Sequence, residues 1–144
     1  MFRLVRNMVV RSIERDRSLE GGLEALSRLL WPWRDTLLVA LVGLLALLDY
    51  TSTYAFLELS GNQYVYESGP LASWALEAGG LTGLLFFDLV AASTLSIMAI
   101  TIRSLHFKLG FPGYGRTAFV VLLVPYVVIT MAAIFNNVVI TFIQ

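Results

Sequence analysis

Three long apolar stretches constrain the fold of this chain more than any other feature of its sequence. They cover residues 36–57, 81–102 and 118–143. Each contains the roughly 20 mostly apolar residues that a helix needs to cross the hydrocarbon core of a bilayer. At about 1.5 Å per residue, the first two stretches reach about 33 Å, which is long enough to span. We therefore predict an all-α, polytopic membrane protein with three transmembrane helices.

The composition supports a membrane protein and divides the chain into two parts. Hydrophobic residues make up 58% of the chain and charged residues only 14%, whereas a soluble domain is about 45–50% apolar and about 25% charged. Seven of the ten Lys and Arg residues occur at or before Arg34. We predict a cytoplasmic, amphipathic, arginine-rich segment over residues 1–35 and a three-helix transmembrane domain over residues 36–144.

The distribution of basic residues predicts the orientation of the protein in the membrane. The loop between the first two apolar stretches contains three glutamates and no Lys or Arg, while the next loop contains Arg103, Lys108 and Arg116. Basic residues are enriched in short cytoplasmic loops. We therefore expect a multi-pass protein of the cell membrane, with a cytoplasmic N-terminus and an extracytoplasmic C-terminus.

Helical spacing of apolar residues in the first thirty positions predicts two amphipathic helices, the second capped at Ser18. Such helices lie in the membrane interface with their basic residues near anionic headgroups. They act as a topology anchor in one interpretation and dock a partner in the other. Interspersed acidic residues and the zero net charge argue against nucleic-acid binding. The predicted membrane-surface residues are Arg3, Arg6, Arg11 and Arg15.

Several kinds of chemistry are excluded by residue counts and by missing motifs. The chain has no cysteine, which excludes disulfides, thiol catalysis and cysteine-ligated metals, and a single histidine, His106, excludes a multi-histidine metal site. It also lacks a nucleophile elbow, a phosphate-binding glycine loop and a zinc signature. No organic cofactor is predicted.

An acidic and amide layer inside the predicted membrane helices is the most unusual feature of the sequence. Asp49 lies in the first helix, Asp88 in the second, and Asn136 and Asn137 in the third. A carboxylate at mid-bilayer depth costs at least about 2.5–3.5 kcal/mol. Counted from the predicted outer helix ends, Asp49, Asp88 and Asn137 lie about 9–12 Å deep. We therefore expect them at one level of the outer leaflet.

The residues around this layer define its faces. Thr53 follows Asp49 by one turn and shares its face, and Glu67 in the loop between the first two helices is placed to cap the layer from outside. Carboxylate, amide and hydroxyl oxygens are ligands for hard cations, either monovalent or divalent. The alternatives are a protonated carboxyl that only packs helices, and a site for a polar ligand. The third helix carries a polar stripe: Tyr126, Thr130, Asn137 and Thr141.

Part of the chain resembles a family of small prokaryotic three-helix membrane proteins of unknown function. The residues concerned are Asp49-Tyr-Thr-Ser-Thr53, Glu67-Ser-Gly-Pro70 and the acid Asp88. That family is similar in having an Asp with a nearby Thr in one helix and then a Glu-x-Asn-Pro turn, but Gly69 stands here in place of the Asn. The resemblance covers about residues 47–90. It implies that Asp49, Thr53, Glu67 and Pro70 act together, and it implies no activity.

Three functions are compatible with these observations. The first is an oligomeric transport or channel-like protein that handles a cation or protons, and the second is an accessory or assembly subunit of a larger membrane complex. The third is an intramembrane enzyme with Asp49 and Asp88 as paired carboxylates, although the sequence contains none of the context that would define its reaction. The expected partners are the lipid bilayer and either further copies of the chain or another membrane protein.

Overall fold

The computed structural model describes the backbone of residues 2–60 and 70–143 and the side chains of residues 14–56 and 73–139. These residues form four helices: α1 (Phe2–Leu30), α2 (Asp35–Ser60), α3 (Pro70–Lys108) and α4 (Pro112–Ile143). Three segments are long and apolar enough to cross a membrane, namely Asp35–Phe56, Ser73–Lys108 and Pro112–Val139. The prediction of an all-α protein with three membrane helices is confirmed.

Helix α1 differs from the expectation in being continuous. It runs from Phe2 to Leu30 through Ser18, where we expected a second helix to begin. Gly21 and Gly22 each disfavour a helix by about 1 kcal/mol relative to alanine. This part of α1 packs against the start of α4, and we attribute its continuity to that tertiary contact.

The connection between α3 and α4 is shorter than the apolar stretches indicated. Helix α3 continues to Lys108 and α4 begins at Pro112, six residues before the predicted start. Gly110 adopts a left-handed φ of 83°, and the amides of Gly110 and Phe111 donate to the carbonyls of Phe107 and His106. These two bonds form the C-terminal motif in which a glycine ends a helix. Proline favours the first helical turn, which explains the early start of α4.

Helix α3 has a sharp kink at Gly80, whose φ of 60° and ψ of −153° are not helical. Residues other than glycine rarely adopt this backbone conformation. The kink brings the first part of α3 back toward its continuation. A Cβ added at Gly83 would lie 2.5 Å from the carbonyl oxygen of Ala75, so this close approach also requires a glycine.

Helix α4 is the centre of the bundle because it contacts each of the other three helices. Its buried face combines with smaller buried faces of α2 and α3 to form the apolar core. The largest of these buried side chains are Phe119, Leu38, Leu123, Val42 and Val120. Helix α3 contributes mainly the small residues Ala92 and Ala99, which permit close helix packing in membranes. Only 11% of the apolar 18-residue stretch of α3 is buried within the protein.

Candidate functional site: a polar layer among the membrane helices

Side chains from α2, α3 and α4 form a polar layer within the membrane bundle. We use this name for Asp49, Ser52, Thr53, Asp88, Tyr126, Thr130 and Asn137. Thr53 and Thr130 are buried, at 6% and 5% exposure, and the other five are half-buried. The layer therefore faces the interior of the bundle, as expected for polar groups in a membrane protein.

The outer part of this layer, by which we mean the part farther along α2 from Asp35, joins α2 to α4 through an amide. The Nδ2 of Asn137 donates to Oγ1 of Thr53 at 3.1 Å and to Oγ of Ser52 at 3.3 Å. The Ser52 hydroxyl itself donates to the carbonyl oxygen of Asp49 at 2.9 Å. Because Ser52 and Thr53 are consecutive in α2, a single amide group contacts both hydroxyls.

The inner part of the layer contains the two carboxylates. Asp49 of α2, Asp88 of α3 and Tyr126 of α4 are all half-buried, and both carboxylates lie within electrostatic range of the Tyr126 hydroxyl. Three helices thus contribute to one group of polar side chains. In the described part of the chain, every buried side-chain nitrogen and oxygen has a hydrogen-bond partner.

Asp35 at the start of α2 forms ion pairs with Arg103 of α3 and Arg116 of α4. These three residues therefore give a common reference from which levels along the helices can be counted. Asp49 lies fourteen residues beyond Asp35, Asp88 lies fifteen before Arg103, and Thr130 lies fourteen beyond Arg116. Each distance corresponds to about 21–23 Å of helix. The two carboxylates and Thr130 are therefore at one level.

Asn137 is not at that level, in contrast to our expectation. It bonds Thr53, which lies one turn beyond Asp49, or about 6 Å along the helix axis. The difference arises because the expected depths were counted from predicted helix ends, whereas α2 and α3 extend past those ends. The layer thus has an inner carboxylate level and an outer amide and hydroxyl level.

The other predicted site residues do not join this layer in the described structure. The side chain of Asn136 is exposed and lies about 100° around α4 from that of Asn137, outside the layer. Glu67 lies outside the described residues. Arg3, Arg6 and Arg11 belong to α1, but their side chains lie outside the described part, and Arg15 is exposed.

The layer offers a cation two carboxylates, not a complete set of acidic ligands. The described residues contain no group of three His, Cys, Asp or Glu side chains that could hold a metal ion. A cation between Asp49 and Asp88 would need further oxygens from Tyr126, Thr130 or Asn137, all of which are suitable for hard cations. A proton shared by the two acids would need no additional ligand.

A second charged cluster, at the other end of the bundle, was missed in the sequence analysis. Asp35 at the start of α2 forms ion pairs with Arg103 of α3 and with Nε of Arg116 of α4, the latter at 3.5 Å. Arg116 also donates to the carbonyl oxygen of Trp31 at 3.1 Å, and the Arg103 guanidinium lies 5.3 Å from the centre of the Phe119 ring. The sequence does contain a signal for this cluster. Asp35 is the first residue of α2, and Arg103 and Arg116 lie at the same end of α3 and α4.

The link between α1 and the membrane helices adds to this cluster. Oε1 of Glu20 accepts a hydrogen bond of 2.8 Å from the amide of Gly113, in the first turn of α4. A carboxylate is favourable there because the first turn of a helix carries unpaired amides and partial positive charge. Trp31 donates from Nε1 to the carbonyl oxygen of Arg34 at 3.1 Å. These contacts hold α1 against the end of the bundle.

No protein-family model, curated protein or solved structure matches this chain. The fold and the polar layer together define an integral membrane protein of the polytopic helical class. The resemblance to small prokaryotic three-helix proteins stays a prediction.

Proposed function

We propose that this protein handles a cation or protons in the membrane through the polar layer, as an oligomeric transport or channel-like protein. The observation that carries the proposal is that Asp49 of α2 and Asp88 of α3 are both half-buried and lie at about the same level of the membrane helices. A carboxylate is among the most costly groups to place in a membrane, and intramembrane acids commonly belong to ion or proton pathways.

The position of the basic residues supports this function. Residues 35–102 and 117–144 contain no Lys or Arg, so no basic side chain within either span supplies a counter-charge for the two acids. Arg103 and Arg116 are paired with Asp35, about 21 Å of helix away from the carboxylate level. A bound cation or a proton then balances the charge of Asp49 and Asp88.

An oligomer is part of this proposal, and the small size of the bundle and the exposed surface of α3 support it. Three helices enclose too little space for a pathway, so several copies must surround one. Helix α3 exposes large apolar side chains on its outer face, including Phe86 at 70% and Ile97 at 64%. This face is suited to packing against another copy as well as against lipid.

The test is ion flux into liposomes that contain the purified full-length protein. Proton and sodium entry are followed with pH- and Na⁺-sensitive dyes, for the wild type and for Asp49→Asn and Asp88→Asn. Glu77→Gln is the matched control, because Glu77 is an exposed acid of α3 outside the polar layer. We expect at least a tenfold loss of flux for the two Asp variants and none for Glu77→Gln. Full flux in both Asp variants contradicts the proposal.

An accessory subunit of a larger membrane complex is the second candidate. It is favoured by the small buried fraction of α3, which leaves most of that helix for another chain. Purification from its native membrane in mild detergent distinguishes the two functions. Constant partner chains at fixed stoichiometry support the accessory function, whereas a homogeneous particle of this chain alone contradicts it.

A further inference from the structure

A cavity of about 580 Å³ lies at the end of the bundle where α1 joins α2. All four helices contribute to its wall, and four arginines line it: Arg28, Arg34, Arg103 and Arg116. Among the residues that the structure describes, the acids in the wall are Glu24 and Asp35. The cavity therefore has an excess of two positive charges.

The ion pairs of the wall leave part of this charge uncompensated. Glu24 accepts two hydrogen bonds from Arg28, at 2.8 and 3.1 Å. Asp35 forms ion pairs with both Arg103 and Arg116. Arg34 makes no ion pair with any residue that the structure describes, and its side chain is exposed. An anion entering the cavity would meet Arg34 and the shared pair of guanidinium groups.

A second cavity, of about 370 Å³, adjoins the first. The two share Asp35, Thr36 and Arg103. From there the second cavity extends along Val39 of α2 and Ile100 of α3, each about one turn further into the membrane span. A charged cavity thus adjoins a second cavity whose wall adds the apolar side chains of Val39, Ile100 and Phe119, and we call this second cavity the apolar groove.

This combination matches the two parts of a phospholipid. Arginine forks bind phosphate oxygens through paired hydrogen bonds, and basic pockets between transmembrane helices bind anionic headgroups. Trp33, 60% exposed, lies in the wall of the charged cavity, and tryptophan is enriched at the level of the headgroups. The apolar groove suits an acyl chain, whereas a free phosphate would make no favourable contact with its apolar side chains.

We propose that these two cavities form a binding site for an anionic phospholipid, with its phosphate among the arginines and an acyl chain between α2 and α3. The lipid completes the contact of α1 with the membrane helices, because its phosphate bridges Arg34 after α1 to Arg103 and Arg116. This site is separate from the polar layer and does not depend on the function proposed for that layer.

The experiment uses the full-length protein, freed of lipid in detergent. Dioleoylphosphatidylglycerol or dioleoylphosphatidylcholine is then added, and native mass spectrometry counts bound lipid while thermal unfolding is followed. We expect at least tenfold tighter binding of the anionic lipid and a higher Tm with it. Equal binding of the two lipids overturns the proposal.

The variants Arg34→Gln and Arg28→Gln test the site without removing a partner of Asp35. Each should weaken binding of the anionic lipid about fivefold, the effect of one basic residue near a headgroup. Arg17→Gln is the matched control because Arg17 is an exposed arginine of α1 outside the cavity. Equal losses in all three variants indicate diffuse surface attraction and overturn the site.

Inorganic phosphate and the variant Ile100→Trp separate a lipid from a free anion. Ile100 is 48% exposed, so a larger ring can fill the apolar groove without entering the core. We expect Ile100→Trp to weaken phosphatidylglycerol binding, and we expect inorganic phosphate alone to raise the Tm less than the lipid does. An equal rise with phosphate alone, together with unchanged lipid binding in Ile100→Trp, overturns the assignment to a lipid.

Discussion

Asn137 of α4 donates a hydrogen bond of 3.1 Å to the buried hydroxyl of Thr53 in α2. This bond joins two helices within segments that are long and apolar enough to cross a membrane. Polar side-chain bonds between membrane helices contribute about 0.6 kcal/mol on average and about 1.7 kcal/mol at most. The bond is therefore one contribution to packing, and its removal should be measurable without unfolding the protein.

Thr53→Val should reduce the free energy of unfolding by about 0.6–1.7 kcal/mol. Valine keeps the shape of threonine but removes the hydroxyl that accepts from Asn137. The measurement is reversible unfolding in detergent and denaturant. Thr51→Val is the control, because the exposed Thr51 donates to the Leu47 carbonyl oxygen of its own helix. Equal losses in both variants would show that the contact between helices contributes nothing.

Asp35→Asn should destabilise the end of the bundle by about 2 kcal/mol. Breaking a fully buried ion pair typically costs 3–5 kcal/mol, and the loss here should be smaller because the Arg103 side chain is 42% exposed. The change leaves Arg103 and Arg116 without their shared carboxylate. Thermal unfolding at two ionic strengths measures this loss of stability. Asp16→Asn, at an exposed position of α1, should change the Tm little; a similar fall there would refute the prediction.

Gly113→Ala should loosen α1 from α4. The added Cβ would lie 2.6 Å from Cγ of Glu20, so the Glu20 side chain must move and its bond to the Gly113 amide is lost. We expect faster hydrogen exchange in α1, with α2 unchanged. Gly22→Ala is the control, since an added Cβ meets nothing within 4 Å there, and it should strengthen α1 by up to about 1 kcal/mol. Unchanged exchange in Gly113→Ala contradicts the predicted contact.

Gly80→Ala should straighten or destabilise the kink of α3. Its φ of 60° and ψ of −153° lie in a region that costs other residues about 1–3 kcal/mol. Gly79→Ala is the matched neighbour, because Gly79 has no positive φ and open space around its Cα. Denaturant unfolding of the two variants should differ by at least about 1 kcal/mol. Equal stability would mean that the kink does not require a glycine.

The absence of native cysteine allows a direct test of orientation. Ser18→Cys in α1 and Glu77→Cys in α3 both occupy exposed positions, on opposite sides of the bundle. A thiol reagent that does not cross membranes should label Glu77→Cys in intact cells and reach Ser18→Cys only after lysis, because basic segments stay in the cytoplasm. The reverse pattern would show that the predicted orientation is wrong.

The three membrane helices could be predicted because length and hydropathy are properties of the sequence itself. The residues at which these helices begin and end could be predicted only with less accuracy. Helix α4 begins at Pro112 and not at residue 118, because a glycine stop at Gly110 and a proline start override the polar character of the intervening residues. The continuity of α1 through Ser18 also depends on a contact far away in sequence, that of Glu20 with Gly113.

The acidic residues of the candidate site were recognisable because carboxylates are rare in apolar helices. Tyr126 and Thr130 also followed from helical spacing along α4. The same spacing placed Asn137 and not Asn136 on the polar stripe of α4, but the partners of Asn137 in α2 depend on the rotation of α4 against α2. The cluster of Asp35 with Arg103 and Arg116 needed the mutual alignment of three helix ends.

The sequence by itself determined that this chain has three segments able to cross a membrane, and that two of these segments contain a carboxylate. These properties follow from local composition and from the cost of transferring charge into hydrocarbon. Only the tertiary structure decided that Asp49, Asp88 and Tyr126 lie in one polar layer, that Thr53 bonds Asn137, and that four arginines line one cavity. Those relationships depend on the rotation and relative height of packed helices, which no single helix specifies.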